Sequence, residues 1–255
     1  MNMIVAVMYR ESRIRLTSFV WTFFDLVMPL IYLLMFGVGL DRAMSGGVAA
    51  HDATLSYQSF FLAGVLSMAS FGIAINTSYG LFVDRDNGIF YEFLTYPMTR
   101  GEFLIGKIIF NCLLSVVQAV ITISVGVQLL GISLHWQFVG ITFAGIVIGT
   151  AGWFFCLAAL ALRVRRSDTF NTLLNVAYFV LMFASSMFYP VETMPGVLRW
   201  LSYANPLTWH TDVLRFATIG IGNMQMVALE AAAFGVFLLL SFWAAVRTLQ
   251  YRVVE

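Results

Sequence analysis

The chain has 255 residues, of which 60% are hydrophobic and only 11% are charged, and its net charge at pH 7 is +1. A soluble domain carries roughly 45–50% apolar and about 25% charged residues, so no soluble core of this size could bury the apolar surface present here. The small net charge leaves no basic excess to neutralise phosphates, which argues against a nucleic-acid partner.

Apolar runs long enough to cross a membrane occur six times. A hydrocarbon layer about 30 Å thick requires roughly 20 apolar residues in a helix. The runs cover residues 19–40, 60–83, 108–130, 138–162, 170–189 and 226–246. In lipid every backbone polar group must be paired within the protein, so each run is expected to be helical. The predicted fold is an all-α integral membrane protein, a single transmembrane domain over residues 1–255 with six transmembrane helices.

The segment before the first run is predicted to be an amphipathic helix over residues 1–16. On a helix, one face carries apolar side chains and the opposite face carries basic ones. The apolar side chains are Ile4, Val7, Met8 and Ile14, and the basic ones are Arg10, Arg13 and Arg15. Such a helix lies on a membrane surface with its basic face towards water and lipid headgroups.

Two connections between the runs are also distinctive. Residues 84–107 form a long, charged link between the second and third runs. Residues 190–225 contain three prolines and apolar residues at helical spacing. We expect short helices there, such as 196–203 and 208–217, that re-enter the membrane or lie across the outer mouth of the protein.

The basic residues predict the orientation in the membrane. With six spans, 11 of the 14 Lys and Arg residues fall on one side, and only Arg42, Arg199 and Arg215 fall on the other. Loops facing the cytoplasm carry the excess of positive charge. Both termini and the link 84–107 are therefore expected in the cytoplasm.

The sequence contains no convincing catalytic or metal-binding set. Residues 101–107 match the glycine and lysine spacing of a phosphate-binding loop, but Ile108 stands where Ser or Thr would hold magnesium, and a membrane span follows instead of an α/β sheet. His51, His135 and His210 are scattered in outer loops without ligand spacing. We therefore expect no catalytic residue, metal or cofactor in this chain.

A few residues within the runs are candidates for a substrate path. Asp25 lies in the first run, where a charge is costly. It is expected to face a water-filled vestibule, to meet an arginine of the amphipathic segment, or to bind substrate. The aromatic side chains of Tyr32, Phe36, Phe179 and Phe183 are typical of lipid-facing rings and interfacial belts, or else they line a path for an amphipathic substrate.

The order of these features resembles a known family, the type-2 ABC exporter permeases, over essentially the whole chain. The segment from Asp84 to Leu94, continued from Pro97 to Lys107, is similar to that family's cytoplasmic coupling segment. Arg10-Glu11 resembles its N-terminal connecting helix. The resemblance implies that ATPase coupling involves Arg10, Glu11, Arg85, Gly88, Glu92, Pro97, Arg100, Gly106 and Lys107. It also implies an outer gate that includes Pro190, Pro195, Asn205, Pro206, Asp212 and Arg215.

The resemblance implies a half-transporter in the bacterial cytoplasmic (inner) membrane. Two identical copies would form a twelve-helix pore that exports an amphipathic substrate, a lipid, glycolipid, oligosaccharide or drug. The first, second and fifth spans would line the path. Two copies of a separate ABC ATP-binding subunit, holding ATP and Mg, would supply the energy.

Two other functions stay open from the residues alone. A secondary transporter would work without an ATPase partner, although such carriers usually show more ionisable residues within their spans. An integral membrane enzyme acting on lipids would need a catalytic cluster near an interface.

Overall fold

The computed structural model describes residues 3–43, 47–50, 53–89, 92, 95 and 97–251. The α-helices are α1 (Met3–Thr17), α2 (Phe19–Tyr32), α3 (Gly39–Ala43), α4 (Tyr57–Asp86), α5 (Arg100–Leu130), α6 (Val139–Arg163), α7 (Ser167–Phe183), α8 (Gly196–Ala204), α9 (Pro206–Ile219) and α10 (Met224–Tyr251). Short 3₁₀ helices cover Trp136–Phe138 and Val191–Thr193. Several predicted features lie outside the described residues, namely His51, Arg252 and residues 90–91, 93–94 and 96 of the link.

Within the described residues, five helical segments are long and apolar enough to cross a membrane. They are Phe19–Ala43, Tyr57–Asp86, Arg100–Leu130, Trp136–Arg163 and Met224–Gln250. The helix α4 is the central one, since 83% of its most apolar stretch is buried and it packs against α2, α5, α6 and α9. In the first and last segments that fraction is only 17%, so their apolar side chains face outwards, as lipid-facing helices do.

The fifth predicted span is shorter than expected. Its helix, α7, has 17 residues and ends at Phe183 instead of Tyr189, so it extends over only about 25 Å. The chain beyond it is irregular but buried, and Met187 packs directly against Gly64 of α4, where a side chain would meet Met187 Cγ at 2.5 Å. Irregular backbone is tolerated at membrane depth where it packs against protein, which explains why the apolar run continues past the helix.

The chain is nearly all-helical, and the all-α prediction needs one correction. Antiparallel strands β1 (Val48–Ala50) and β2 (Ala53–Leu55) form a small hairpin between the first and second spans. The first span also changes its winding, because Pro29 lies within α2 and a π-helical segment follows at Leu33–Val38. A proline removes one backbone donor, and such departures from α-helical winding are its common consequence.

The link between the second and third spans is shorter than residues 84–107. Helix α4 continues to Asp86, and α5 begins at Arg100 behind a capping box in which Thr99 and Glu102 bond each other's backbone N–H groups. The connection therefore covers residues 87–99.

Candidate functional site

Four charged side chains meet where α1 crosses the ends of α4 and α5. Lys107 Nζ donates to Glu11 Oε1 at 2.6 Å and to Asp84 Oδ2 at 2.7 Å. Arg10 donates to the other oxygen of Asp84 at 2.6 Å. Lys107 is only 1% exposed. Two cations and two carboxylates balance, so this inner cluster (Arg10, Glu11, Asp84 and Lys107) is a buried network that ties α1 to both spans.

Burial lowers the pKa of Arg10, but the hydrogen bond and charge of Asp84 and the charge of Glu11 outweigh it, so the pKa of Arg10 is raised. The resemblance assigns Arg10, Glu11 and Lys107 to ATPase coupling. In the structure these side chains form ion pairs inside this chain, with one another and with Asp84. Lys107 and Asp84 have no free surface to offer a partner.

A second buried ion pair lies one helical turn further along. Arg15 Nη1 donates to Asp25 Oδ2 at 2.9 Å, and Asn76 donates to Asp25 Oδ1 at 2.5 Å. Arg15 also donates to Asn111 of α5 and Thr77 of α4. Of the three alternatives for Asp25, the structure places it against an arginine of the N-terminal helix.

The predicted faces of α1 need correction. The buried residues of this helix are Val7, Glu11 and Arg15, whereas Ile14 is 40% exposed. Spacing alone assigned Arg15 to a water-facing side. The charge is buried instead because Asp25 and Asn111 satisfy it, which a hydropathy pattern does not reveal.

The predicted coupling residues in and beside the link differ in their surroundings. Arg85 donates to Ala161 O at 2.6 Å and so binds the C-terminal end of α6. Gly88 has a φ of 76°, which lets the chain turn away after α4 ends. Glu92 and Pro97 are exposed, and Arg100 is half-buried at the start of α5. Among the predicted coupling residues of the link that the structure describes, Glu92 and Pro97 present exposed side chains.

Gly106 is a packing position. A Cβ there would lie 2.9 Å from Val7 Cβ and 3.0 Å from Ile4 O, so the missing side chain lets α1 approach α5 closely. The phosphate-loop spacing of residues 101–107 falls wholly on helix α5 and forms no loop.

The predicted substrate-path aromatics meet through Phe188, which sequence reasoning did not include in the path. Phe36 stacks on Tyr32 at a centroid distance of 5.6 Å and contacts Phe188 at 6.1 Å. Phe183 stacks on Phe188 at 5.3 Å and on Phe179 at 6.3 Å. Phe36, Phe179 and Phe183 are between 41% and 54% exposed. The structure thus joins the first and fifth predicted spans through one aromatic array with an open side.

The predicted outer-gate residues fall in and around α8 and α9. Asn205 caps α9, since its Oδ1 accepts from Leu207 N at 2.9 Å, and Pro206 occupies the first helical turn. Pro195 directly precedes α8, and Pro190 is buried before the 3₁₀ turn. Short helices are thus present in the segment where they were expected.

Asp212 and Arg215 form an ion pair one turn apart on α9, as the sequence suggested. Arg215 also donates to Ser186 O at 2.7 Å, and Ser186 Oγ donates to Asp212 at 2.7 Å. The guanidinium lies over the Phe60 ring, 4.0 Å from its centroid. This outer cluster attaches α9 to α4 and to the irregular chain after α7.

His210 lies in the connection between the fifth and sixth predicted spans, on the short helix expected at residues 208–217. It lies in α9, is 2% exposed, and contacts Ser67 Oγ and Gly145 O at 3.0 and 3.1 Å. A carbonyl accepts only, so Nε2 carries the proton and Nδ1 accepts from Ser67. Burial lowers the pKa of His210 to about 4, against the smaller raising effect of the Gly145 carbonyl.

Sequence reasoning missed the neutral polar partners of these clusters. They are Ser67, Asn76, Asn111 and Ser186. The available signal was their presence within otherwise apolar runs, where a polar side chain requires a partner.

The chain matches known proteins along most of its length. The family description "ABC-2 type transporter" fits residues 3–219. The chain is 32% identical over 213 residues to the daunorubicin resistance ABC transporter permease protein DrrB1 of Streptomyces coeruleorubidus, covering 81% of this chain and 72% of that protein. It is 27% identical over 193 residues to the putative transport permease ycf38 of Cyanophora paradoxa, covering 75% and 65% respectively.

A further relative is the probable multidrug ABC transporter permease YbhR of Escherichia coli K12, 25% identical over 182 residues. That alignment covers 69% of this chain and 48% of the relative, so the chain spans about half of YbhR. The resemblance drawn from the coupling and outer segments is thereby confirmed at the level of the family. The chain belongs to the ABC-2 type transporter family and is a multi-pass membrane permease.

Proposed function

We propose that the chain is the permease subunit of an ATP-driven exporter that moves an amphipathic substrate out across the cytoplasmic membrane. The observation that carries the proposal is the inner cluster, which joins an N-terminal helix outside the spans to two long spans through a buried lysine. A helix bound in this way moves with the spans. The relatives named for drug resistance and multidrug transport support an amphipathic substrate, a drug, lipid, glycolipid or oligosaccharide.

The proposed topology has six crossings. Each of the five long segments would cross the membrane once. Helix α7 and the irregular chain that follows it would together make the sixth crossing. Helices α8 and α9 would lie at the outer mouth. The cluster of 11 basic residues on one side supports both termini in the cytoplasm.

The energy would come from a separate ATPase that holds ATP and Mg. We propose that it docks on the exposed part of residues 87–99 and on α1. Glu92 and Pro97 offer surface there, while Arg85 anchors the link to α6. Closure of the ATPase would then push α1 and the inner cluster as one body.

Two copies of the chain, with two ATPases, would enclose the substrate path. The aromatic array of Tyr32, Phe36, Phe179, Phe183 and Phe188 leaves its open side to a second copy or to the substrate. Aromatic faces suit an amphipathic molecule because they bury a large apolar area and attract cationic groups over the ring. The outer cluster would close the path.

Co-purification tests this assignment. The tagged permease, co-expressed with its cognate ABC ATPase and extracted in mild detergent, should carry the ATPase, and native mass spectrometry should find two copies of each. Glu92→Arg should lose the ATPase while the permease pair stays together. A permease that purifies free of any ATPase would contradict the assignment.

A further inference from the structure

Three exposed arginines lie close together where α6 is joined to α7. Helix α6 ends at Arg163, α7 begins at Ser167, and Arg165 and Arg166 lie in the short connection. All three arginine side chains are exposed. Among the residues that the structure describes, the guanidinium groups of Arg165 and Arg166 have no ion-pair or hydrogen-bond partner. This arginine patch (Arg163, Arg165 and Arg166) therefore leaves two positive charges for a group outside the chain.

The backbone of the arginine patch is held by the packing behind it. Phe170, in the first turn of α7, is buried and stacks on Phe82 of α4 at a centroid distance of 5.0 Å. Arg85 lies over the same Phe82 ring and donates to Ala161 O in the last turn of α6. Both ends of the connection are thereby fixed on α4, so little backbone ordering opposes the binding of an anion.

Positive charge exceeds negative charge around the patch. Arg85 adds a fourth cation, and the exposed acids at this end of α4 and α7 are Asp86 and Asp168. Four cations and two acids leave a local charge of +2. Two such patches would repel each other, so a second copy of the chain is a poor occupant and an anion is a good one.

The first half of α7, residues 167–176, presents an apolar surface beside the patch. Leu173 and Val176 lie one turn apart and are 41% and 56% exposed. The exposed polar side chains of Thr172 and Asn175 donate to carbonyls one turn back in the same helix, so they tolerate lipid. Arg166 precedes Leu173 by seven residues, about 10 Å along the helix axis. Cations followed directly by apolar surface match a phospholipid, whose phosphate lies next to its acyl chains.

We propose that the arginine patch binds the phosphate of an anionic phospholipid, whose acyl chains lie along residues 167–176 of α7. Arg165 and Arg166 donate to the phosphate oxygens, which the planar guanidinium group suits. The aromatic array begins further along the helix, at Phe179, so the lipid and the array use different parts of α7. The proposal goes beyond the proposed export function, of which it uses only the orientation, and it assigns the lipid to the inner leaflet.

Lipid binding to the purified permease tests this site. Dioleoyl phosphatidylglycerol and dioleoyl phosphatidylcholine carry the same acyl chains, but only the first has a net negative charge. Each lipid is titrated into the delipidated permease in a neutral detergent, and native mass spectrometry gives the dissociation constant of the first bound lipid. The wild-type chain should bind phosphatidylglycerol about twenty-five-fold tighter than phosphatidylcholine, since each arginine near an anionic headgroup contributes about fivefold.

Arg165→Gln/Arg166→Gln should remove most of this preference, whereas Arg165→Lys/Arg166→Lys should keep most of it. Both positions are exposed, so these variants should fold like the wild-type chain. Arg42→Gln is the matched control, because it removes an exposed arginine at the other end of the first span, and it should keep the full preference. Equal affinity of the wild-type chain for the two lipids would overturn the proposal. A preference that survives in the double glutamine variant would overturn it as well.

An acidic surface of the ATPase is the rival occupant of the patch. A double glutamine variant that loses the ATPase on co-purification but binds phosphatidylglycerol like wild type would show a protein contact and contradict the proposal. Glycerophosphoglycerol, the headgroup without acyl chains, should leave the lipid bound at equal concentration, and displacement would indicate a site for soluble phosphates instead. The lipid titration needs neither ATP nor the ATPase, so its failure leaves the proposed export function untouched.

Discussion

Arg15 of α1 and Asp25 of α2 form a buried ion pair, with 2.9 Å between Arg15 Nη1 and Asp25 Oδ2. The two residues are ten positions apart in the chain and lie on different helices. Only Ser18 lies between the two helices, so the pair braces the corner at which α1 and α2 meet. Asn76 and Asn111 extend it to α4 and α5. Together with the inner cluster, the pair attaches α1 to three spans, so α1 is packed firmly against the helix bundle.

Removing the charge of one partner of this ion pair should destabilise the folded protein. Asp25→Asn leaves the Arg15 charge buried without a carboxylate, and we expect the free energy of unfolding to fall by about 3–5 kcal/mol. The measurement is loss of helicity during titration with SDS in mixed micelles.

The double variant Arg15→Met/Asp25→Leu should lose less than Asp25→Asn alone, because no unpaired charge remains. Arg13→Met, at an exposed position of the same helix, is the matched control and should be close to neutral. A single variant as stable as wild type would show that the pair does not hold the corner.

Close packing of α6 on α9 gives a second prediction. A Cβ at Gly149 would collide with the His210 ring, which both Ser67 and Gly145 fix in place. Gly149→Ala should therefore lower stability by about 1–3 kcal/mol. Gly140→Ala, in the same helix with no neighbour within 4 Å, should be neutral or slightly stabilising. Equal effects of the two variants in thermal unfolding would rule out the contact.

The long helices could be predicted from the sequence, but their partners could not. Hydropathy found α4 and α10 because any span needs an apolar surface. It extended the fifth run through Tyr189 because the irregular chain after Phe183 is as apolar as the helix. That irregular chain packs on α4 through Met187 and Gly64, and hydropathy does not reveal such a tertiary contact.

The candidate site, too, could be predicted from the sequence only in part. Asp25 was recognisable because a lone acid in a span requires a partner. Helical spacing, however, assigned Arg15 to the surface, and the sequence did not indicate that His210 is buried between helices. In both cases the partner lies on another helix, Asp25 on α2 and Ser67 on α4, and a single sequence does not pair helices.

His210 predicts a pH dependence of stability. Its pKa is about 4 in the folded chain and 6.5 when unperturbed. As pH falls below 6.5 the unfolded chain takes up a proton that the folded chain refuses, so stability is complete above that pH and is lost towards pH 4. Between pH 7 and 5.5 the loss should be about 1 kcal/mol.

Unfolding in SDS at the two pH values measures this loss. His210→Gln should remove that part of the pH dependence, whereas His135→Gln, at an exposed position, should retain it. An unchanged slope in His210→Gln would mean that another group carries the titration.

The link offers a test of coupling that spares the fold. Glu92 is exposed, so Glu92→Arg should leave the permease intact in the membrane. Because a reversed charge at a docking surface repels the partner's matching cation, stimulated ATP hydrolysis by the complex should fall about tenfold or more. Thr95→Arg, also exposed in the link, adds the same charge without removing the acid and should have a smaller effect. Hydrolysis that is stimulated as strongly in Glu92→Arg as in wild type would rule out this docking surface.

The most direct test of the account is transport by the purified chain in inverted proteoliposomes, with and without its ABC ATPase. A fluorescent amphipathic dye should accumulate only when the ATPase, ATP and Mg are all present, and not with a non-hydrolysable analogue. Accumulation by the chain alone, driven by a proton or sodium gradient, would contradict the account.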